Sequence, residues 1–493
     1  MKKSLKINAV ANLISTIISI IFPLVTFPYI AKVLGVEKYG IYQFSNSIVS
    51  YFSYLAILGI PTYAIRTGSG LKNNNEKFNK FVNEIFSINI ISTILAYYLL
   101  FTFIIFIRKF DFYRISILIL SFSIIFTTLG VNWIFSINED YIYTSIRTIC
   151  IQIISIILIF LLVKNQNDLL KYIIISTFAL SGGNIINIFY SRKYCKLKFT
   201  FKFNLKEHII PLLILFVNNI SIIIYVNLDI TLLGIIKSDI EVGLYSVSAK
   251  IYFTIKQIIN AIIVVTIPRL SMFFYQKKMI EFKNLLKKVY AFLIAILLPS
   301  CTGLFMLSKE IILIISGKEY LATVPALKIL SISLLFCGTA SYYSTAILIP
   351  IKNEGKVLTS TIVAAVLNII SNLILIPNYG IIGAAITTMA AELLVATLLF
   401  WYCRELKPQI DYKMLLVSII ESILIVLIVT AMKTLKISPA MIIIYAISLS
   451  VIIYTIINLA LNTNIGIEIK KIIRKYNIIK LYNCCRLHHN RNR

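Results

Sequence analysis

Four basic side chains stand where hydrocarbon should be. Arg66, Arg147, Lys250 and Lys256 all fall in or at the ends of long apolar runs. Charge at such depth costs from ~2.5 to 3.5 kcal/mol upward on insertion scales, so each is a functional candidate by default. Lys250 and Lys256 lie seven and thirteen residues from the outer end of their run, or ~10 and ~20 Å deep at 1.5 Å per residue. Lys256 is too deep to snorkel easily. Asp229, on the preceding run, reaches about the depth of Lys250, and an ion pair between the two is the plain structural alternative. Arg66 and Arg147 could instead snorkel to phospholipid, as could Lys32 and Lys328 near outer boundaries. Within the first twelve runs only Asp229 and Glu392 are deeply placed acids. A surplus of buried positive charge suits an anionic passenger.

A second set of side chains offers oxygen. Asn368 and Asn372 are four apart and share a helix face, and Asp229 and Thr388 are available from other runs. Carboxylate, amide and hydroxyl oxygens are what a hard monovalent cation wants, so this set is a candidate cation-coupling site for Na+, with H+ as the other coupling ion. The alternative is hydrogen bonding between helices. Glu392 and Glu421 could carry protons or face a polar seam. No resident cofactor, metal or catalytic group is expected. There is no Walker loop, no dinucleotide fingerprint and no soluble domain, so movement must draw on gradients or on the passenger. Cys484-Cys485-x-x-His488-His489 is metal-capable but sits in a basic tail without a partner cluster. The seven cysteines are scattered and imply no disulfide framework.

The elements that must hold these groups are membrane helices. Of 493 residues 59% are hydrophobic and 14% charged, with a mean hydropathy of +0.89. That excludes a soluble enzyme, a disordered tail and a secreted disulfide scaffold. About fourteen runs are long enough to span: 9–33, 41–64, 82–107, 115–136, 142–163, 169–190, 209–235, 243–267, 286–307, 323–349, 357–376, 381–402, 414–432 and 438–461. The first, entered from Met1-Lys2-Lys3, reads as a retained span and not a leader. Of the 48 Lys and Arg, 32 belong to one set of alternate connections and 11 to the other, with Lys171, Lys287 and Lys288 at span starts counted with the adjoining connection, and the remaining five lie inside spans. The asymmetry puts both termini of a multi-pass membrane protein in the cytoplasm. The net charge of +28 therefore speaks of topology and anionic phospholipid, not nucleic acid. Pro23 and Pro28 predict a bent or interrupted first span.

An internal repeat organises the runs. Leu34-Gly35 is followed by Glu37 and Gly40-Ile41-Tyr42; Leu233-Gly234 is followed by Glu241 and Gly243-Leu244-Tyr245. Both occupy the outer turn between the first two spans of a six-span block. The expected fold is an all-α polytopic membrane protein of two like-oriented six-helix lobes, 1–200 and 201–405, enclosing a central cavity. Two additional helices (406–463) and a basic cytoplasmic tail (464–493) follow.

Phe27-Pro28-Tyr29-Ile30-Ala31-Lys32-Val33-Leu34-Gly35 with Tyr39-Gly40-Ile41-Tyr42 resembles the start of Wzx/RfbX-type polysaccharide-repeat flippases of the multidrug/oligosaccharidyl-lipid/polysaccharide exporter superfamily. Asp229-Ile-Thr-Leu-Leu-Gly234, Val242 to Lys250, and Asn368-Ile-Ile-Ser-Asn372 through Pro377 to Ala385 are similar to that family too. The resemblance implies a non-enzymatic carrier that moves undecaprenyl-diphosphate-linked oligosaccharide across the cytoplasmic membrane by alternating access. It implies a role in O-antigen, capsule or exopolysaccharide synthesis, beside a polysaccharide polymerase and chain-length machinery. The four cations would then bind the diphosphate, Lys serving as a point charge where related lipid II flippases use more Arg. A multidrug or cation antiporter of the same superfamily and a non-transport scaffold of a polysaccharide assembly complex are the alternatives.

Overall fold

The computed structural model describes residues 5–201, 205–406, 411–435, 437–461, 463, 466, 467 and 470. Among them every regular element is helical, as backbone groups in lipid require when they have no water to bond. In chain order these are α1 (Leu5–Ile57), α2 (Ile60–Leu71), α3 (Asn75–Phe106), α4 (Arg114–Gly130), α5 (Asn132–Ile137) and α6 (Tyr141–Leu162). Then come α7 (Leu169–Thr177), α8 (Asn184–Ser191), α9 (Leu205–Ile236), α10 (Asp239–Val264), α11 (Ile267–Tyr275) and α12 (Met279–Met306). The last are α13 (Ser308–Ile315), α14 (Val324–Ser341), α15 (Glu354–Cys403), α16 (Tyr412–Thr434) and α17 (Pro439–Ala460).

Twelve helical stretches of the described chain are long and apolar enough to cross a membrane. Two of them, Ile21–Leu71 and Glu354–Cys403, have 51 and 50 residues, roughly twice what ~30 Å of hydrocarbon takes. Each is broken at a glycine: Gly35 has φ 71 and ψ 175, Gly380 φ 52 and ψ −129. Side-chain-bearing residues pay heavily for such backbone. The break at Gly380 frees the N–H of Ile381, which donates to Glu241 Oε2 at 3.1 Å. Helix α1 continues through Pro23 and Pro28, so its interruption falls at Gly35, where the chain turns, and not at the prolines.

The chain packs as two compact units. The first comprises the chain up to Val247 together with 315–323 and 365–384. In it α1 lies against α3, α4, α6 and α9. The two copies of the repeat meet there directly. A Cβ added to Gly40 would stand 1.8 Å from the carbonyl oxygen of Asp239, and one added to Gly243 would stand 2.1 Å from that of Val36. Tyr320 and Thr323 tie the same region down, donating to the carbonyls of Ala31 (3.1 Å) and Leu244 (2.8 Å). The second unit comprises 248–314, 324–364 and 385–493. Its α12 packs on α14 and α16, and α16 on α17. Leu307, Ile425, Val429, Ile442 and Ala446 form an apolar cluster among them.

Candidate functional site

In the first unit α9 and the middle of α15 bring three of the four expected cation ligands together. Asp229 is 4% exposed and Asn368 and Asn372 are fully buried. Asn372 Nδ2 donates to Asp229 Oδ1 at 2.6 Å and to Asn368 Oδ1 at 3.1 Å. Tyr245 OH donates to Asp229 Oδ2 at 2.5 Å. The i,i+4 spacing of the two asparagines puts their amides side by side, and Asn372 joins that pair to the carboxylate. One amide nitrogen thus stands between two oxygens where a cation would stand. Around it, Thr231 Oγ1 donates to Ser47 Oγ at 3.1 Å and Asn227 Nδ2 to Ser50 Oγ at 2.7 Å, joining α9 to α1 through small polar groups. Thr388, the fourth expected ligand, is a buried residue of the second unit.

The same unit holds Arg147 in an amide setting. Its guanidinium donates to Asn187 Oδ1 and, at 3.3 Å, to Asn132 Oδ1, and lies 5.9 Å from the centre of the Tyr143 ring. Asn187 in turn donates to Gly130 O (2.6 Å) and Asn132 Oδ1 (3.0 Å). Amide oxygens orient a cation without neutralising it, so Arg147 keeps its full positive field within the span. Among the described residues no carboxylate lies within salt-bridge distance of it. Arg66 stands on an exposed face of α2.

In the second unit Lys256 is a paired cation. Its Nζ is 2.6 Å from Glu392 Oε1, which also accepts from Tyr252 OH at 2.9 Å. The Lys256 side chain is 21% exposed and its ammonium lies over the Tyr252 and Phe253 rings. An acid 136 residues away in sequence thus offsets the charge, which hydropathy alone could not reveal. Lys250 is half-buried on the same helix, α10. Between α12 and α16/α17 a cavity of about 390 Å³ is lined by apolar side chains including Ile258, Ile296, Pro299, Leu304 and Val451. Beside it Glu421 accepts from Asn458 Nδ2 at 2.6 Å.

One buried cluster escaped the sequence reading. His208 on α9 bridges Tyr63 OH (Nδ1, 2.8 Å) and Glu84 Oε2 (Nε2, 2.9 Å), linking α2, α3 and α9. The available signal was that His208 is the only histidine outside the tail. Among the described residues no group of three metal-capable side chains gathers; Cys484, Cys485, His488 and His489 lie outside the described residues.

Helices long and apolar enough to cross a membrane, with a carboxylate–diasparagine knot and an amide-held arginine packed among them, make this a polytopic membrane protein. Residues 5–274 match the family model described as "Polysaccharide biosynthesis protein", and the chain belongs to that family. It is 22% identical to a "Putative O-antigen transporter" of Escherichia coli (strain K12), over 82% of this chain and 98% of that protein. It is 25% identical to "Capsular polysaccharide biosynthesis protein CapF" of Staphylococcus aureus, again over 82% and 98%. Among solved structures it is similar in fold to "Lipid II flippase MurJ, inward closed conformation", with a TM-score of 0.76 and 20% identity over 92% of this chain and 98% of that one.

Proposed function

We propose that this protein is a flippase of lipid-linked oligosaccharide repeat units, carrying undecaprenyl-diphosphate-linked glycan across a bacterial cytoplasmic membrane for surface polysaccharide synthesis. The observation that carries the reading is Arg147: a cation kept inside a membrane helix by amides, in a chain whose family makes polysaccharide. A diphosphate needs fixed positive charge that has not been spent on a protein carboxylate. Arg66, Arg147, Lys250 and Lys256 are its proposed phosphate contacts, Lys256 sharing its ammonium with Glu392. The polyprenyl tail can stay in bilayer, so only the headgroup needs a polar path. No bond of the passenger is broken, and the protein acts as a carrier by alternating access, built as two six-helix lobes (1–200, 201–405).

Asp229, Asn368, Asn372 and Thr388 are proposed to bind a coupling Na+, with H+ as the alternative. The amide of Asn372 would turn to present oxygen when the ion enters. The relatives named for O-antigen and capsule support the passenger class, and a polymerase with chain-length machinery would consume the product. The test is complementation. Deleting the gene should abolish surface polysaccharide, the parent gene should restore it, and Arg147→Gln should not despite equal expression. Unchanged polysaccharide with raised drug sensitivity would point to multidrug export instead.

A further inference from the structure

The connection between α8 and α9 is unlike the rest of the chain. From Cys195 to Phe201 it reads Cys-Lys-Leu-Lys-Phe-Thr-Phe, strict apolar/polar alternation with the period of an extended strand in an otherwise helical protein. The structure shows what it pairs with. The N–H groups of Lys196, Lys198 and Thr200 donate to Asn79 Oδ1 (3.0 Å), Asn83 Oδ1 (2.8 Å) and Ser87 Oγ (2.9 Å). Alternate residues of an extended chain are ~6.7 Å apart, and residues four apart on a helix are ~6 Å apart along its axis. Side chains at i, i+4 and i+8 of α3 can therefore serve as an edge for this segment, which they clip to the helix. Cys195 and Leu197 turn toward the apolar cluster of Phe81, Val82 and Trp133, and Lys196 and Lys198 face outward, exposed.

The clip builds a groove of about 560 Å³, lined among others by Asn75, Asn79, Asn83, Arg192, Lys196 and Lys198. Its polar character is one-sided. Backbone donors must be met by oxygen, so both clipping amides turn Oδ1 to the backbone. Asn79 Nδ2 then donates to Asn75 O at 2.8 Å, and Asn83 Nδ2 is left at the groove. Lys193, also on the wall, leans away, donating to Tyr190 OH at 3.2 Å and lying 3.9 Å from the buried Asp140. The start of α3, capped by Asn74, adds the positive end of a 32-residue helix. Glu76 lies in that first turn but not on the groove wall, and among the described residues no carboxylate lines it. Burial, and then Asp140, hold the Tyr194 hydroxyl above its ordinary range, so it remains a neutral donor.

We propose that this groove is a binding site for a phosphate-bearing headgroup, either phospholipid or phosphorylated passenger, at the level where α3 and α8 reach the membrane surface. Lys196, Lys198 and Arg192 supply charge, and the Asn83 amide supplies a neutral donor. The proposal does not depend on what the protein carries, and its test reads no transport. The purified full-length protein in phosphatidylcholine nanodiscs is acylated at lysine amines, and rates at Lys196 and Lys198 are followed by mass spectrometry relative to exposed Lys278. One arm adds inorganic diphosphate; the other replaces part of the phosphatidylcholine with phosphatidylglycerol. At a probe level about twice the half-saturating one, about a third of grooves stay open and labelling at both lysines falls about threefold. Protection by diphosphate supports a site for a soluble-facing phosphate, and protection by phosphatidylglycerol alone supports one for a lipid headgroup. An unchanged ratio to Lys278 in both arms overturns the site. Asn79→Ala with Asn83→Ala removes the two clipping contacts that hold Lys196 and Lys198, leaving the one at Ser87, and keeps every lysine. If this variant is protected as well as the parent, loose surface charge suffices and the built groove is refuted.

Discussion

At the scale of single residues, pairing separates cations that look alike in sequence. Lys256 and Arg147 are both basic residues inside spans, yet Lys256 meets Glu392 at 2.6 Å whereas Arg147 meets amide oxygens. Lys256→Gln leaves the buried Glu392 its hydrogen bond from Tyr252 but no cation, and removing one partner of such a pair costs roughly 3 to 5 kcal/mol. Lys256→Gln combined with Glu392→Gln should recover most of the lost melting temperature in detergent. If Lys256 also touches the diphosphate, the double variant will melt like the parent and still fail to flip; recovery of both would make the pair purely structural. Asp229→Asn keeps shape but removes the charge that Tyr245 and Asn372 face. Flipping in proteoliposomes, with sodium, proton and potential clamped independently, should lose its dependence on the coupling ion in this variant. Flipping in the parent indifferent to both ions would end the cation proposal. Burial pushes the Cys195 thiol up to about 12, so at pH 8 only about one in 10⁴ is thiolate. Maleimide should therefore leave Cys195 unmodified until the protein is unfolded; rapid labelling of native protein would mean the clipped segment lifts off.

At the scale of elements, glycine decides where helices break and where they cross. Gly35 and Gly380 divide helices that would otherwise be too long for a bilayer. Gly40 and Gly243 let the two copies of the repeat approach until a carbonyl occupies the space of a Cβ. Forcing a methyl into such a crossing costs typically ~1 to 3 kcal/mol. Gly40→Ala and Gly243→Ala should each lower the melting temperature, whereas Gly70→Ala, with nothing within 4 Å of its added Cβ, should not. Equal stability of all three would show that the crossing yields freely. The repeat was visible as Leu-Gly and Gly-x-Tyr pairs, but its meaning was not. A one-dimensional match says that two segments are alike, and only packing says that they touch each other.

At the scale of the whole molecule, energy can come from the charge of the passenger. Each elementary charge is worth ~2.3 kcal/mol per 100 mV, so an inward-negative potential favours outward movement of a diphosphate. Vesicles with a potassium-diffusion potential and no sodium or proton gradient should flip faster as the potential grows. A rate independent of potential would mean the headgroup crosses electrically neutralised. Hydropathy was enough to establish a helical membrane protein and to locate its apolar segments, because lipid imposes length and composition on each helix separately. The alternation from Cys195 to Phe201 passes unnoticed in a hydropathy reading, and only its partners on α3 give it meaning. What paired with what was not legible. Asn372 with Asp229 is 143 residues apart, Lys256 with Glu392 is 136, and Lys196 with Asn79 is 117. Such partners are chosen by which helix faces pack together, and the period of one helix carries no information about the face its neighbour presents.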